Sequence, residues 1–262
     1  MATLAANVVG TALRALASDD ASSPEMMGGH WGYQFGDLGF AEAERRQAFE
    51  NWVLGKGLQD LARGVRECLE EAVFYLSMIE RPPGLTTMEA LEADMAAIRA
   101  AAQKPSFPDL LAKVNPKLSA PLSFDAEFLS LQKTRNCLEH RGGRVGARDV
   151  DPTTGALLLT FPRLKTFYMR GVEEVELVPG EAIDTHSPDN PFGGEEHVSI
   201  YMRLVNRSRQ YALGEPVVVS ASDFFEIAMA CHFFASDLAT KLPTLPGVGT
   251  PDTEPTGSDV QV

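Results

Sequence analysis

Arg135-Asn136-Cys137-Leu138-Glu139-His140, running straight into Arg141-Gly142-Gly143, decides how this chain is read. The residues from Phe124 onward have helical spacing. Phe124, Phe128, Leu131 and Leu138 fall close to one line at 3.6 residues per turn, and Arg135 falls on the same line. A cation on an apolar line needs a partner or a shared cavity, because burying its charge alone is expensive. Asn136 and His140 are four apart and stack beside that line. One helix thus offers a permanent cation, a carboxamide and an imidazole within about 140° of arc. Gly142 and Gly143 stand where a helix is expected to stop.

An Arg followed by a polar residue, with a His a few residues on near a helix end, resembles the signature of HEPN domains. Here the pattern is Arg135-Asn136 with four residues between Arg135 and His140. The stretch Gly214-Glu215-Pro216-Val217-Val218-Val219-Ser220 and the helix after it also resemble the closing segment of some bacterial HEPN proteins. The likeness covers roughly residues 41–145 and 210–242 and leaves 146–209 unexplained. It implies a small helical bundle. It also implies metal-independent ribonuclease activity of the toxin or antiviral-effector kind, and a homodimer whose two motifs meet in one cleft.

Chemistry supports such roles. RNA cleavage by its own 2′-hydroxyl needs a base that titrates near neutral pH, which an imidazole supplies. It also needs a cation on the phosphate, for which a guanidinium fork is suited. His140 is the candidate base, Arg135 the phosphate clamp, and Asn136 the orienting group. Lys133, Arg141 and Arg144 are candidate RNA or phosphate contacts. With Arg148 they make a basic spot opposed only by Glu139. The plainer reading is a solvated helix end, where cations also suit the C-terminal dipole.

The whole chain carries 23 basic and 36 acidic residues, a formal charge of −13. That argues against a surface built to coat nucleic acid. It slightly favours a rival: a non-catalytic module of the same architecture that senses a nucleotide or docks a partner. A neutralising or regulatory protein partner fits either reading, and a structural homodimer without a ligand is a third. Apolar content of 44% and charged content of 23% fit a globular protein. No apolar run is long enough for a membrane span, and no secretory leader is evident, so a cytoplasmic protein is expected. Cys68, Cys137 and Cys231 are far apart and odd in number, so they read as small buried apolar groups. His186, His197 and His232 lack metal-ligand spacing, and no glycine loop suits a nucleotide, so neither metal nor cofactor is expected. His232, beside Phe233 and Phe234, reads as packed, and His30 as a loop histidine.

The spacing predicts a mainly α protein: a HEPN-like bundle with an antiparallel β insertion between the motif helix and the last helix. One domain is expected over 1–242, helical over 41–143 and 221–241, with β structure over about 145–220. A disordered tail is expected over 243–262. Residues 1–17 read as a short helix on Leu4, Val8, Ala12 and Ala15, and 18–39 as a loop. Residues 42–79 read as a long helix on Trp52, Leu54, Leu58, Leu61, Val65, Cys68, Ala72, Leu76 and Ile79. Gly55, Gly57 and Gly64 inside it mark close helix contacts or a break near Gly55. Thr87 reads as the cap of a helix to Ala102, followed by a short helix to Asn115. Strands are expected at 145–150, 156–161, 164–169, 172–178, 198–204 and 211–220, with a loop over 179–195. The last helix is expected over 222–241, with Ser220 and Asp223 as a capping pair.

Overall fold

The 3.6-residue spacing and the switch to extended patterning both appear in the chain, at nearly the expected places. The computed structural model describes residues 1–18, 26–28, 31–33, 40–81, 84, 87–177 and 199–244. Outside them lie His30, Pro82, Pro83, the loop expected over 179–195 with His186, His197, and the expected tail from Leu245 onward. Among the described residues there are six α-helices: α1 (Ala2–Ser18), α2 (Glu42–Ile79), α3 (Met88–Ala102), α4 (Phe107–Val114), α5 (Asp125–His140) and α6 (Ala221–Lys241). There are five strands: β1 (Met26–Gly28), β2 (Trp31–Tyr33), β3 (Ala156–Arg170), β4 (Glu173–Glu176) and β5 (Ile200–Ala212). The protein is mainly helical, with one three-stranded antiparallel sheet, ordered β4-β3-β5, between α5 and α6 in the sequence. No described helix is long and apolar enough to cross a membrane.

The chain divides into two compact units. One is Met1–Cys68 with Ser123–Ser236; the other is Leu69–Leu122 with Asp237–Val262. In the first, α2 buries Leu54, Leu58, Leu61 and Val65, α5 buries Phe128 and Leu131, and α6 buries Phe224, Ile227 and Phe234. The Phe128 and Phe234 rings meet at 4.5 Å. Gly57 is where α1, α2 and α6 converge: a Cβ there would lie 2.6 Å from both Phe224 and Val9. The helix runs unbroken through Gly55. On α1 the inward residues are Ala5 and Val9, while Leu4 and Val8 are exposed. The helix was legible but its face was not, because apolar residues occur on every side of it. Part of the expected 18–39 loop is a short hairpin, with Met26 opposite Tyr33 and Gly28 opposite Trp31.

The sheet differs from the expected string of short strands. Segments 156–161 and 164–169 form one strand, β3, through Pro162. The Thr160 N–H donates to Ser130 Oγ, and that hydroxyl donates back to the Thr160 C=O, both at 2.9 Å. The Thr160 N–H and C=O therefore point away from β5, and so does the backbone of Pro162 two residues on. The missing proline N–H falls on an edge that β4, pairing with 167–170, leaves without a strand partner among the described residues. Polar residues 206–210, expected to interrupt, continue β5, which pairs with β3 from Ala156↔Ala212 to Tyr168↔Ile200. Their inward arginines meet α6. Arg209 Nε and Nη2 each donate to Asp223 at 2.7 Å, and Arg207 Nη1 lies 2.9 Å from Glu226. Burial pushes the Asp223 carboxyl up, and Arg209 more than reverses this, leaving it below the usual carboxylate range. Burial holds Glu226 above that range, against Arg207 and Arg163. Ser220 caps α6 through the Asp223 N–H at 3.1 Å, but the Asp223 side chain goes to the sheet and does not complete a box. Residues 145–150 form a turn, where Asp149 accepts the Gly146 N–H at 2.9 Å, and 213–220 carry only an Arg144↔Pro216 bridge.

The second unit contains α3 and α4. Thr87 caps α3 through the Ala90 N–H at 3.2 Å. Ser106 and Asp109 form a capping box on α4, with Pro108 in its first turn. A 3₁₀ turn follows over Asn115–Lys117. Arg81 pairs with Asp94 at 3.1 Å, and the Arg99 guanidinium lies 4.5 Å over the Phe74 ring. The Tyr75 hydroxyl donates to the Pro243 carbonyl at 2.8 Å.

Candidate functional site

Helix α5 starts from Phe124 in the left-handed region (φ 62°) and turns Phe128, Leu131, Gln132, Thr134 and Cys137 inward. The buried Gln132 amide donates to the Ala62 carbonyl of α2 at 2.6 Å. The inward line is thus rotated from the expected one. Cys137 takes the core position, and Arg135 lies on the flank, its side chain 24% exposed.

There Arg135 finds partners in its own chain. Nη2 is ion-paired with Glu139 Oε2, and Nη1 donates to Asn136 Oδ1 at 3.1 Å. The same Glu139 oxygen lies 4.0 Å from His140 Nε2, whose side chain is 59% exposed. Arg135, Asn136 and His140 therefore do gather on the last turn of α5, with Glu139 between the cation and the imidazole. Glu139, which opposes the basic spot in the sequence, is here the ion-pair partner of Arg135. The spacing of four from Arg135 was the available signal.

The end of the helix is held firmly. Arg141 N and Gly143 N both donate to the Cys137 carbonyl, at 3.1 and 3.2 Å, and Gly142 and Gly143 have φ of +59° and +75°. The Val217 N–H then donates to Gly143 O, and the Val145 N–H to Glu215 O, at 2.8 and 3.0 Å. Backbone of 214–217 so fastens the turn that follows His140.

The basic spot is dispersed. Arg141 donates from Nε to the buried Asp149 Oδ2 at 2.6 Å and from Nη2 to its other oxygen. That fork is engaged in fixing the turn. Arg144 donates to the Gly214 carbonyl at 3.1 Å. Lys133 is exposed and lines a separate cavity of about 390 Å³ with Glu127, Ser130, Asp151 and Thr160. It stands seven positions before His140, which is about 10 Å along the helix.

One group of residues was missed. Asn51, Trp52, Lys56 and Gln59 of α2 face Leu138, Gly142, Gly143 and the 216–218 segment across a groove of about 360 Å³. Trp52, expected in the core, is 65% exposed. Its place at i−2 from Leu54 puts it off the buried stripe, a fact hidden by counting apolar residues alone. His232, expected to be packed, is exposed. Cys137 and Cys231 are buried and Cys68 partly so; burial pushes all three thiols up. Among the described residues no three His, Cys, Asp or Glu side chains converge as a metal site would need. Comparison of the chain with protein-family models, curated proteins and solved structures finds no match.

Proposed function

We propose that the chain is a metal-independent endoribonuclease of HEPN type, acting as a toxin or defence effector. The observation that supports it is the last turn of α5, where a guanidinium, a carboxamide and an exposed imidazole share one surface. The 2′-hydroxyl oxygen bonds to phosphorus as the bond to the 5′ oxygen breaks. His140 takes the hydroxyl proton, and the leaving oxygen takes one from solvent. Arg135 holds the phosphate and the charge that develops on it, with Asn136 fixing the guanidinium. Two protomers meeting along α5 would double the cluster. That dimer rests on the family resemblance, since Arg135 already has Glu139 and needs no second chain for its charge.

The Arg135–Glu139 pair also favours a second reading, a binding module in which the cluster is architectural. Incubation with a mixed RNA pool in EDTA separates the two. The enzyme should leave 2′,3′-cyclic or 3′-phosphate ends, and His140→Ala should slow it by about 10²–10⁴-fold. Equal rates from the two proteins, or cleavage by neither, would leave the binding module.

A further inference from the structure

Helix α2 buries the stripe Leu54, Leu58, Leu61 and Val65. On another face it carries Trp52, Lys56 and Gln59, at spacings of four and three, which is one line along a helix. This line forms a wall of the groove whose far side holds Leu138, from the motif helix, and Val218. The indole is 65% exposed and adjoins the exposed Leu4 and Val8 of α1, so it belongs to an apolar patch of the kind that marks a contact surface.

The polar groups beside the indole point to what that is. Lys56 Nζ donates to Gln59 Oε1 at 3.3 Å. A lysine has only N–H to give, so the amide oxygen of Gln59 must face it and the Gln59 N–H₂ is turned elsewhere. Gln47 Nε2 likewise donates to Asn51 Oδ1 at 3.0 Å, which leaves the Asn51 N–H₂ for other contacts. The groove therefore offers a flat π-face, an ammonium and two N–H₂ groups. The complement is flat, rich in acceptors and anionic. A nucleobase with its phosphate has all three properties: ring nitrogens and carbonyls for the amides, a face for the indole, an anion for Lys56. A volume of about 360 Å³ is of the right order for one nucleotide.

We propose that this groove is a base-binding subsite for single-stranded RNA, continuous with the end of α5. Trp52 stacks on one base, the Asn51 and Gln59 amides contact its edge, and Lys56 takes the adjoining phosphate. The inference rests on the ribonuclease reading for its substrate, and its own test is binding.

The probe is a short fluorescent single-stranded RNA with 2′-O-methyl groups, which cannot be cleaved, and a series of copies each lacking one base. Trp52→Ala should weaken binding about 10-fold, within the range for losing a stacked base, and Trp52→Phe by less. On the RNA that lacks the stacked base, wild type and Trp52→Ala should bind alike. A melting temperature close to wild type checks that Trp52→Ala is folded. Cleavage of ordinary RNA by the wild type, with equal binding by wild type and Trp52→Ala, would overturn the subsite and leave the ribonuclease standing. Binding that depends on Trp52, without cleavage, would keep the subsite and overturn the ribonuclease. Loss of binding together with a change of oligomer size in Trp52→Ala would assign the indole to a protein interface and overturn the subsite. No binding of any RNA by the wild type would overturn both.

Discussion

The Ser130 hydroxyl of α5 accepts from the Thr160 N–H of β3 at 2.9 Å and shares its one proton between the Thr160 carbonyl, at 2.9 Å, and the Glu127 carbonyl of its own helix, at 2.7 Å. A side chain here does what a neighbouring strand would do, and it ties the helix bearing Arg135 and His140 to the central strand. Ser130→Ala removes both bonds to Thr160 and should cost about 1–3 kcal/mol, read as a lower urea midpoint with unchanged slope.

Two glycines two residues apart on α2 should respond in opposite directions. At Gly55 a Cβ would meet only Leu138 Cδ2, at 3.8 Å, an ordinary contact. Gly55→Ala should gain up to about 1 kcal/mol from helix propensity. At Gly57 the same methyl would lie 2.6 Å from Phe224 and Val9. Gly57→Ala should lose about 1–2 kcal/mol net, because overpacking outweighs propensity. Thermal melts of the two variants, side by side, check the sign.

Asp223 and Glu226 face the same arginines from one helix turn, yet their carboxyls are shifted in opposite directions. Asp223 lies below its ordinary value, so its contribution is full above about pH 4 and is lost as pH falls through the folded value. Asp223→Asn should cost about 1.5–3 kcal/mol at pH 7 and progressively less in acid. Glu226 lies above its ordinary value, so its charged form costs stability at neutral pH, and that cost disappears in acid. Glu226→Gln should be at least as stable as wild type at pH 7 and equal to it near pH 4. Denaturation midpoints at both pH values provide the measurement.

In the proposed ribonuclease, Glu139 competes with phosphate for Arg135. Exposed pairs four apart on a helix are worth about 0.3–0.5 kcal/mol. Glu139→Gln should therefore lower KM for RNA by at least about twofold, with stability nearly unchanged. A loss of stability without any change in KM would make the pair architectural.

The helices were legible because their burial follows a single period, as in α2 and α6. Trp52, Leu4 and Val8 were misplaced because a count of apolar residues does not say which of two adjacent stripes faces inward. Arginines at 207 and 209 concealed a strand, since their place against α6 makes sense only once Asp223, sixteen and fourteen residues later, is opposite them. Pro162 suggested a break, and its tolerance depends on which edge of β3 is open. Thr87 was readable as the cap of α3 from its place just before the helical spacing. Of the site, Arg135, Asn136 and His140 were legible as a helix-end cluster. The Glu139 clamp, the Asp149 partner of Arg141 and the Trp52 groove depend on rotamers and tertiary contacts.

The fork of Arg141 on Asp149 also bears on counterions. Of the five cations from Lys133 to Arg148, Arg141 is held by the buried Asp149, so it releases no phosphate counterion without first leaving that carboxylate. Five contacts to a single strand would give a log–log salt slope of about −3.5, and four would give about −2.8. RNA affinity measured from low to moderate salt should follow the shallower line, and the stretch should hold RNA through fewer cations than its composition suggests.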